Sequence, residues 1–356
     1  MRAATTVEGS GGSSFREVTD FVVEAERLGL DICWVAEAWG SDAVSVLGFL
    51  AARTERLLLG SGIIQLDTRT PTALAQAAIS LSELSDGRFL LGLGASGPQV
   101  IEGLHGVAFD KPLARMRETI EIVRVLAAGE KLVHQGQMYA VPHPGSDTRP
   151  MRLSAKASHR IPIYIAAMSP AMLRLTGSVA DGWLGTSFVP EGSAAYFGPL
   201  TEGLAGSGRT IADLDICQGA EIAIFDDEDE VHRHVGTRRK ELAFSLGGMG
   251  SATTNFYNRA YSRQGWAEIA AAVHERWQAG DRDGAAGLIT DDMVLATTLI
   301  GTEARVRERL RTWADAGVTT VRLYPAGDDL DTRLANLARG IELVHATDAA
   351  IIPGAP

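Results

Sequence analysis

The sequence predicts a (β/α)8 barrel, and three observations lead to that fold class. The chain has 356 residues, 46% of them apolar, which is enough to bury a large core without disulfides or metal. Short and almost continuously apolar runs alternate with longer runs of helical period, as in a parallel sheet covered by helices on both faces. About eight such strand–helix units follow one another. A doubly wound sheet, the alternative fold, would fit fewer strands.

The first three predicted helices have recognisable ends. The first ends before Gly29, which suits a left-handed C-cap. The second begins after Asp42, a good N-cap residue, and the third begins at Pro71, where a missing N–H costs nothing. The turn Asp86-Gly87 leads into the fourth strand. The predicted strands are 3–7, 31–36, 56–62 and 89–93, and the predicted helices are 15–28, 42–52 and 71–84.

The alternation continues through the second half of the chain. Pro170 begins one helix, and Gly301-Thr302 precedes another. An acidic-to-basic helical stretch contains His232 and His234, whose imidazoles we expect to face solvent. The further predicted strands are 162–166, 182–184, 214–224 and 319–323, and the further helices are 113–128, 170–179, 304–316 and 330–345.

Two stretches interrupt the alternation. Residues 131–160 are polar and rich in proline and glycine, whereas residues 246–300 open with a Gly- and Ser-rich run and are expected to be irregular. Long loops in a compact domain are usually lids or mobile segments, with tolerated surface insertions as the alternative. We therefore expect one domain over 1–356, with insertions near 131–160 and 246–300.

Composition argues against several classes of function. The formal net charge is −11, whereas binding to nucleic acid or to an anionic membrane surface needs clustered Lys and Arg. Two distant cysteines, Cys33 and Cys217, form no CxxC motif and suit a reducing cytoplasm. No signal peptide is visible, and no run approaches the roughly 20 apolar residues of a membrane span. No HExxH motif suggests a metal site, and no GxSxG motif suggests a serine hydrolase.

Candidate site residues follow from the fold class, because barrel enzymes place their sites at the C-terminal ends of the strands. After the second strand, Glu37 can orient a ligand or transfer protons, and Trp39 can stack on a planar ring. Alternatively, Glu37 pairs with a neighbouring arginine and Trp39 packs against a loop. After the third strand, Gly62 fits a bulge and Ile63 would support a flat ring. The candidates on these two strand ends are Glu37, Ala38, Trp39, Gly62, Ile63 and Gln65.

Two further strand ends complete the candidate set. Glycines after the fourth strand let the backbone approach a ligand and point N–H groups at its oxygens, although neither a Rossmann fingerprint nor a P-loop lysine is present. Small residues after the fifth strand leave room for a bound tail, and Pro170 begins a helix whose N-terminus favours an anion. Tight packing is the alternative there. These candidates are Gly94, Ala95, Ser96, Gly97, Pro98, Ala167, Met168 and Ser169.

Four segments carry a resemblance to a known family. They are AERLGLDICWVAEAWGSDA (25–43), ARTERLLLGSGIIQLDTRTPTALAQAAISLSELSDGRFLLGLGASGPQV (52–100), KPLARMRETIEIVR (111–124) and IPIYIAAMSPAMLRLTGSVADGWLGT (161–186). The order and spacing of these four segments resemble those of the luciferase-like monooxygenase superfamily, specifically its F420-dependent oxidoreductase branch. The resemblance implies a (β/α)8 barrel, commonly a homodimer, with a cis peptide bond at Gly62-Ile63 behind a deazaflavin ring. It also implies coenzyme contacts along 94–98 and contacts to the coenzyme tail along 167–169.

The catalytic groups depart from part of that family. Some F420-dependent dehydrogenases of this class have an Asp-His pair after strand two and a Glu in the strand-four loop, where this chain has Glu37-Ala38 and Gly97. The resemblance therefore favours a reductase that delivers hydride from reduced F420 to a C=C or C=N bond of a small molecule, with the proton coming from water, Glu37 or another group. The alternatives are an FMN-dependent monooxygenase of the same superfamily and a barrel that binds the cofactor without turnover. The expected walls of the substrate pocket are Trp39, residues 246–256, Phe188 and Trp183.

Overall fold

The strands lie close to their predicted positions. The computed structural model describes residues 1–8, 14–251 and 255–347. Within these ranges the strands are β1 Arg2–Glu8, β2 Ile32–Ala36, β3 Leu58–Ser61, β4 Ile64–Gln65, β5 Phe89–Gly94, β6 His134–Gln135, β7 Ala140–Val141, β8 Ile163–Ala166, β9 Gly182–Gly185, β10 Asp215–Ile224, β11 Leu299–Gly301 and β12 Thr320–Pro325. The predicted third strand, 56–62, ends at Ser61 and is followed by the separate two-residue strand β4.

The helices alternate with these strands along the chain. They are α1 Phe15–Arg27, α2 Ala43–Ala51, α3 Pro71–Leu84, α4 Pro98–Ile101, α5 Pro112–Ala127, α6 Pro170–Val179, α7 Ala194–Gly206, α8 Glu228–Gly247, α9 Phe256–Tyr261, α10 Ala267–Gln278, α11 Arg282–Gly287, α12 Asp291–Ala296, α13 Glu303–Asp315 and α14 Leu330–His345. Short 3₁₀ turns occur at Leu66–Thr68, Pro190–Gly192 and Ile211–Asp213, and a π-helical turn occurs at Ser262–Trp266. Three helices, α3, α6 and α14, have the bounds that the sequence predicts.

Parallel strands that alternate with helices make this a (β/α)8 barrel, as predicted. The chain divides into two compact units, which we describe separately. One unit consists of residues 6–167 and 178–184, and the other of residues 1–5, 168–177 and 185 onward. That the whole chain forms one domain stays a prediction.

In the unit of residues 6–167 and 178–184, five strands lie side by side in the order β2, β3, β5, β8, β9. Every one of these pairings is parallel. Their residues are buried on both faces, as the nearly continuous apolar runs predicted; Trp34 and Leu91, for example, are 0% exposed. Helices α1 and α2 begin at side-chain caps, Ser14 and Asp42.

In the other unit, β12 lies between β1 and β10, and β10 also pairs with β11. All three pairings are parallel. The register between β10 and β12 runs from Cys217 opposite Thr320 to Ile222 opposite Pro325. Thus β10 extends two residues beyond Ile222, the partner of the last residue of β12.

Residues 255–300 are largely helical, so the prediction of an irregular region over 246–300 is wrong. Helices α9, α11 and α12 begin at Asn255, Asp281 and Thr290, each of which accepts a hydrogen bond from a first-turn N–H. Their apolar residues pack with α8 around a core that includes Leu246 and Val273. These short helices depend on that tertiary packing, because isolated helices of this length are unstable. Residues 252–254 of the predicted irregular region lie outside the described residues.

The predicted insertion at 131–160 contains a short antiparallel hairpin of β6 and β7. The carboxylate of Glu118 on α5 anchors it, because it accepts the N–H groups of Gln137, Met138 and Tyr139 at 2.7 to 3.2 Å. Its Oε2 also lies 3.3 Å from His134 Nε2. Burial acts to raise the pKa of Glu118, but these three N–H donors and His134 hold the pKa below its ordinary value.

Neither cysteine forms a disulfide, and both are buried. Burial raises the pKa of the Cys33 thiol to about 12, so this thiol stays protonated at neutral pH.

Within the described ranges, no cluster of three or more His, Cys, Asp and Glu side chains could hold a metal ion. In the same ranges, no helix combines the length and apolar character needed to cross a membrane.

Candidate functional site

The end of the third strand carries a bulge, as Gly62 predicted. Gly60 of β3 pairs with Leu90 of β5, whereas Ile64 of β4 pairs with Leu93. The chain advances from 60 to 64 on one side and only from 90 to 93 on the other, so one extra residue is inserted. The peptide bond between Gly62 and Ile63 is cis, at the position that the resemblance implied.

Glycine is needed on both sides of this bulge. A Cβ at Gly62 would lie 2.9 Å from Cβ of Trp34, and a Cβ at Gly94 would lie 2.6 Å from Cδ1 of Ile63. Trp34 is fully buried, whereas Ile63 is only partly covered. The strand end therefore presents an accessible apolar side chain that lies directly against glycine backbone. We call the surface formed by Gly62, Ile63 and Gly94 the platform.

Ser61 holds the platform to the neighbouring strand. Its Oγ donates to the carbonyl of Gly92 at 2.9 Å and accepts from the N–H of Gly92 at 2.9 Å. Both residues are buried, so these bonds satisfy backbone groups that the interrupted ladder would otherwise leave unpaired. A Cβ at Gly92 would lie 1.9 Å from the Ser61 carbonyl oxygen. Ser61 was not among the predicted site residues; its only signal in the sequence is its place directly before the bulge glycine.

Glu37 is held by three donors. The Nη1 and Nη2 atoms of Arg69 donate to its two carboxylate oxygens at 2.6 and 2.8 Å, and the N–H of Ala43 donates to Oε2 at 2.9 Å. The hydrogen bond to Glu37 raises the pKa of Arg69. The structure thus contains the arginine pairing that the sequence left as the alternative for Glu37. This pairing orients the turn between β2 and α2, while a role of Glu37 in proton transfer stays a prediction.

The same turn is fixed by Gln65. The Nε2 of Gln65 donates to the carbonyl oxygen of Ala38 at 3.0 Å, and the Gln65 side chain is buried. Next to Ala38, the Trp39 side chain is 70% exposed. Most of the indole surface is therefore available to a ligand rather than packed against the loop.

The turn after β4 is held to α5 by a second ion pair, whose residues were not among the predicted site residues. Arg115 Nε lies 2.7 Å from Asp67 Oδ1, and the Asp67 side chain is 3% exposed. Burial raises the pKa of Asp67, although Arg115 acts in the opposite direction. Arg115 also donates to the Tyr139 hydroxyl at 3.2 Å. One arginine therefore connects the platform turn with the β6–β7 hairpin.

The strand-four loop offers backbone donors beside the platform. Ala95, Ser96, Gly97 and Pro98 are all partly exposed. Ser96 has a positive φ of 57°. Within the part of the chain that the structure describes, the N–H groups of Ser96 and Gly97 donate to no protein acceptor. Free amide donors of this kind are suited to the oxygens of an anionic ligand.

The residues that follow the fifth barrel strand, β8, form hydrogen bonds within the protein. The Ala167 carbonyl accepts the indole N–H of Trp183 at 2.9 Å. The Met168 carbonyl accepts from Nη2 of the exposed Arg263 at 2.6 Å, a contact that the sequence gave no reason to expect. Ser169 Oγ accepts from the N–H of Met172 at 3.3 Å and so caps α6.

Two aromatic residues that were expected to line the substrate pocket belong to the core instead. Trp183 is 0% exposed and Phe188 is 1% exposed. Phe188 packs against Tyr196 and Trp313, with ring centroids 6.2 and 5.6 Å apart. Aromatic residues at strand ends carry no sequence signal that separates these two roles.

The sequence of this chain is similar to those of several known proteins. The sequence matches the family model described as luciferase-like monooxygenase over residues 2–320. A Mycobacterium tuberculosis protein named "Putative coenzyme F420-dependent oxidoreductase" is 39% identical over 310 residues, which cover 84% of this chain and 88% of the relative. The 5,10-methylenetetrahydromethanopterin reductase of Archaeoglobus fulgidus is 30% identical over 308 residues, which cover 86% of this chain and 89% of the relative.

Solved structures share the fold. The coenzyme F420-dependent tetrahydromethanopterin reductase of Methanopyrus kandleri superposes with a TM-score of 0.77 at 22% identity, covering 95% of this chain and 97% of that one. The oxygenating constituent of 3,6-diketocamphane monooxygenase of Pseudomonas putida, in complex with FMN, has a TM-score of 0.68 at 19% identity, covering 98% and 100%. At these identities the likeness concerns the fold alone.

Proposed function

This chain belongs to the luciferase-like monooxygenase family, and from that membership we propose that it is a reductase that uses reduced coenzyme F420. The chain is an oxidoreductase of the luciferase-like class. The proposed substrate is a small molecule whose C=C or C=N bond receives hydride. The observation that carries the coenzyme assignment is the platform, where a bulge presents Ile63 against glycine backbone beside free amide donors.

The platform fits the chemistry of a deazaflavin. A planar ring needs an apolar surface, which Ile63 and the glycines supply. Polar edges and a tail need hydrogen-bond donors, which the Ser96 and Gly97 N–H groups offer. When bound and reduced, the coenzyme supplies hydride, and the protein supplies orientation. The 39% identical relative is named for the same coenzyme.

Each candidate residue has a proposed task. Gly62 and Ile63 back the ring, Trp39 covers an open side of the site, and Gln65 fixes the Ala38 carbonyl. Glu37, saturated by Arg69, orients this turn in our proposal. The strand-four loop and the residues after β8 would hold the coenzyme near the ring and along the tail; they are Gly94, Ala95, Ser96, Gly97, Pro98, Ala167, Met168 and Ser169.

The assignment is tested by titrating the purified chain with F420 and, separately, with FMN, and following the absorbance and fluorescence of each. We expect F420 to bind more tightly than FMN. Gly94→Val should weaken F420 binding by about tenfold or more, since its side chain would displace Ile63. Gly236→Ala is the matched control, because a Cβ at that helical position meets nothing within 4 Å.

The other outcomes separate the alternatives. Binding of FMN alone, with oxygen consumed in the presence of reduced FMN, would contradict the F420 assignment and favour a monooxygenase. Binding of F420 without oxidation of its reduced form by unsaturated ketones or imines would favour a barrel that binds the coenzyme without turnover.

A further inference from the structure

Arg322 of β12 is a buried arginine that has no carboxylate partner. The residue is 7% exposed, and it forms no ion pair with any residue that the structure describes. Its Nη2 donates to the carbonyl oxygen of Gly185, whereas its Nε is buried with no acceptor. A guanidinium carries five N–H donors and stays charged at neutral pH. Most of these donors, and the charge itself, are therefore left unmatched within the described part of the chain.

Other arginines of low exposure have the partners that Arg322 lacks. Three of them have side chains that are 16 to 22% exposed and pair with a carboxylate; they are Arg69, Arg115 and Arg309. Arg88 has no carboxylate partner, but it donates four hydrogen bonds, three of them to backbone carbonyl groups. A buried cation that is neither paired nor fully hydrogen-bonded is costly. Bracing the end of β9 through one carbonyl does not account for Arg322.

The strand register places a tyrosine hydroxyl close to Arg322. Gly219 of β10 is the register partner of Arg322, and Glu221 is the partner of Tyr324. Side chains alternate along a strand, so Arg322 and Tyr324 lie on the same face, about 6.6 Å apart along β12. A Cβ at Gly219 would lie 2.6 Å from the Tyr324 hydroxyl oxygen. That hydroxyl therefore fills the space that Gly219 leaves open next to Arg322.

The opposite face of the two strands is covered by α14. A Cβ at Gly340 of α14 would lie 2.6 Å from Cδ1 of Ile222 and 2.9 Å from Cδ1 of Leu323. The alternation of side chains puts Arg322 and Tyr324 on the other face. Tyr324 is 37% exposed, so that face is accessible to solvent at Tyr324.

The neighbouring carboxylate, Glu221, is already engaged by α8, which covers that part of β10. Its Oε1 lies 2.8 Å from Nε2 of His234, and its Oε2 is ion-paired with Nε of Arg238. His234 is 25% exposed, so the prediction that it faces solvent is wrong, whereas His232 is 77% exposed, as predicted. Glu221 therefore does not serve as the counter-ion of Arg322.

Two tyrosine hydroxyls add neutral donors near Arg322. Tyr257 of α9 lies near Tyr324, and its pKa is raised by burial and, to a smaller extent, by Tyr324, so the Tyr257 hydroxyl stays protonated at neutral pH. Neither hydroxyl is hydrogen-bonded to a residue in the described ranges. One unpaired cation and two free hydroxyls together suit an anion.

We propose that Arg322, together with the hydroxyl of Tyr324, binds the carboxylate of a small organic acid. A carboxylate accepts two parallel N–H bonds from a guanidinium and balances its single charge. A phosphate dianion would bring a second negative charge, and the cluster offers it no second unpaired cation. The rings of Tyr324 and Tyr257 supply apolar surface for an aromatic or unsaturated body of the acid.

The first test is a titration of the full chain, without coenzyme, by ligand-observed NMR with three probes: benzoate, benzamide and phenyl phosphate. We expect benzoate to bind about tenfold or more tightly than benzamide, which has the same shape and no charge. Phenyl phosphate should also bind more weakly than benzoate. Equal binding of benzoate and benzamide would overturn the inference, and so would tighter binding of phenyl phosphate.

Variants assign the binding to Arg322. Arg322→Met should remove the preference for benzoate over benzamide, and Arg322→Lys should keep part of it, because the charge remains without the planar fork. Arg311→Met is the matched control, since Arg311 is exposed on α13, and it should bind benzoate as the wild type does. An unchanged preference in a folded Arg322→Met variant contradicts the proposal.

Two further measurements keep the proposal testable where the Arg322 variants fail to fold. Tyr324→Phe removes only a hydroxyl from a partly exposed side chain and should weaken benzoate binding by about threefold. In isotope-labelled wild type, the Nε–H resonance of Arg322 should move on addition of benzoate and stay in place with benzamide. Benzoate binding that leaves both this resonance and the Tyr324→Phe affinity unchanged would place the acid elsewhere and overturn the inference.

This inference does not depend on the proposed coenzyme. A chain that binds benzoate at Arg322 but does not bind F420 contradicts the proposed function and leaves the carboxylate site in place. A chain that binds F420 but does not distinguish benzoate from benzamide overturns the carboxylate site alone.

Discussion

The Glu37–Arg69 pair is nearly buried, with side chains 9% and 22% exposed. Removing one partner of such a pair leaves the other charge desolvated and unpaired, which costs more than the pair itself contributes. We expect Arg69→Ala to lower the free energy of unfolding by about 3 kcal/mol, measured from urea denaturation curves.

Arg174→Ala is the matched control for that change. Arg174 and Glu202 form a single ion pair whose side chains are 50% and 58% exposed. An exposed pair typically contributes about 0 to 1 kcal/mol. Equal losses in the two variants would contradict the view that Glu37 depends on Arg69 for its position.

The role of a single residue was predictable where the backbone conformation requires that residue type. It was not predictable where the role depends on a partner far away in the sequence. Gly62 follows from the need for a small residue in a bulge, and the structure has that bulge. Glu37 was selected as a site residue, but its partner lies 32 positions later in the chain. No local pattern links two residues so far apart. His234 was taken as a surface residue because its helix is charged, although it meets Glu221 on a strand 13 positions earlier.

At the scale of elements, the β6–β7 hairpin depends on one carboxylate. The pKa of Glu118 lies below its ordinary value of 4.5. A lowered pKa means that the ionised form stabilises the hairpin above pH 4.5 and that this stabilisation is lost as the pH falls through the folded-state pKa. We expect the backbone amide resonances of Gln137 and Tyr139 to stay constant from about pH 5 to 8 and to move only below this range.

Two variants test whether Glu118 is the group that causes this acid dependence. Glu118→Gln should shift these amide resonances already at neutral pH and flatten their acid dependence. Glu121→Gln, on the same helix and with a side chain that is 51% exposed, should leave the profile as in the wild type. An acid transition that is equal in all three proteins would assign it to other groups.

Elements were predicted well where both ends carry signals and the length is ordinary. The bounds of α6 follow from Pro170, and those of α14 agree with a helix that Asp329 caps. Between 255 and 300 the helices are only 6 to 12 residues long, and a glycine- and serine-rich run precedes them. Their stability comes from a shared core with α8, and a core of this kind cannot be seen in the sequence of one segment.

At the scale of the whole molecule, a homodimer remains a prediction from family resemblance. Sedimentation equilibrium on the purified chain should give the mass of two chains across a wide range of protein concentration, since a stable dimer needs an interface of about 1,200 Å² or more. The net charge of −11 makes adequate salt necessary to suppress repulsion between copies. A mass of one chain at every concentration would contradict the prediction.

The fold class was predictable because it depends on the order of elements rather than on their contacts. Apolar strands and amphipathic helices in alternation leave few architectures to choose from. The family comparison supports the same class over residues 2–320. The alternation does not predict how the strand ends combine into a site, because that depends on the register between neighbouring strands.

The bulge after β3 makes chain length at this point as important as residue type. In a regular strand Gly60 and Ile64, four positions apart, would point to the same face. Their partners Leu90 and Leu93 are three positions apart, so the bulge turns Ile64 and all that follows to the opposite face. Deleting one residue here would reverse that choice and carry Gln65 away from the Ala38 carbonyl. In an alignment of related chains, a gap of one position at Gly62 or Ile63 would therefore mark a member with a different cofactor surface more reliably than most substitutions around it.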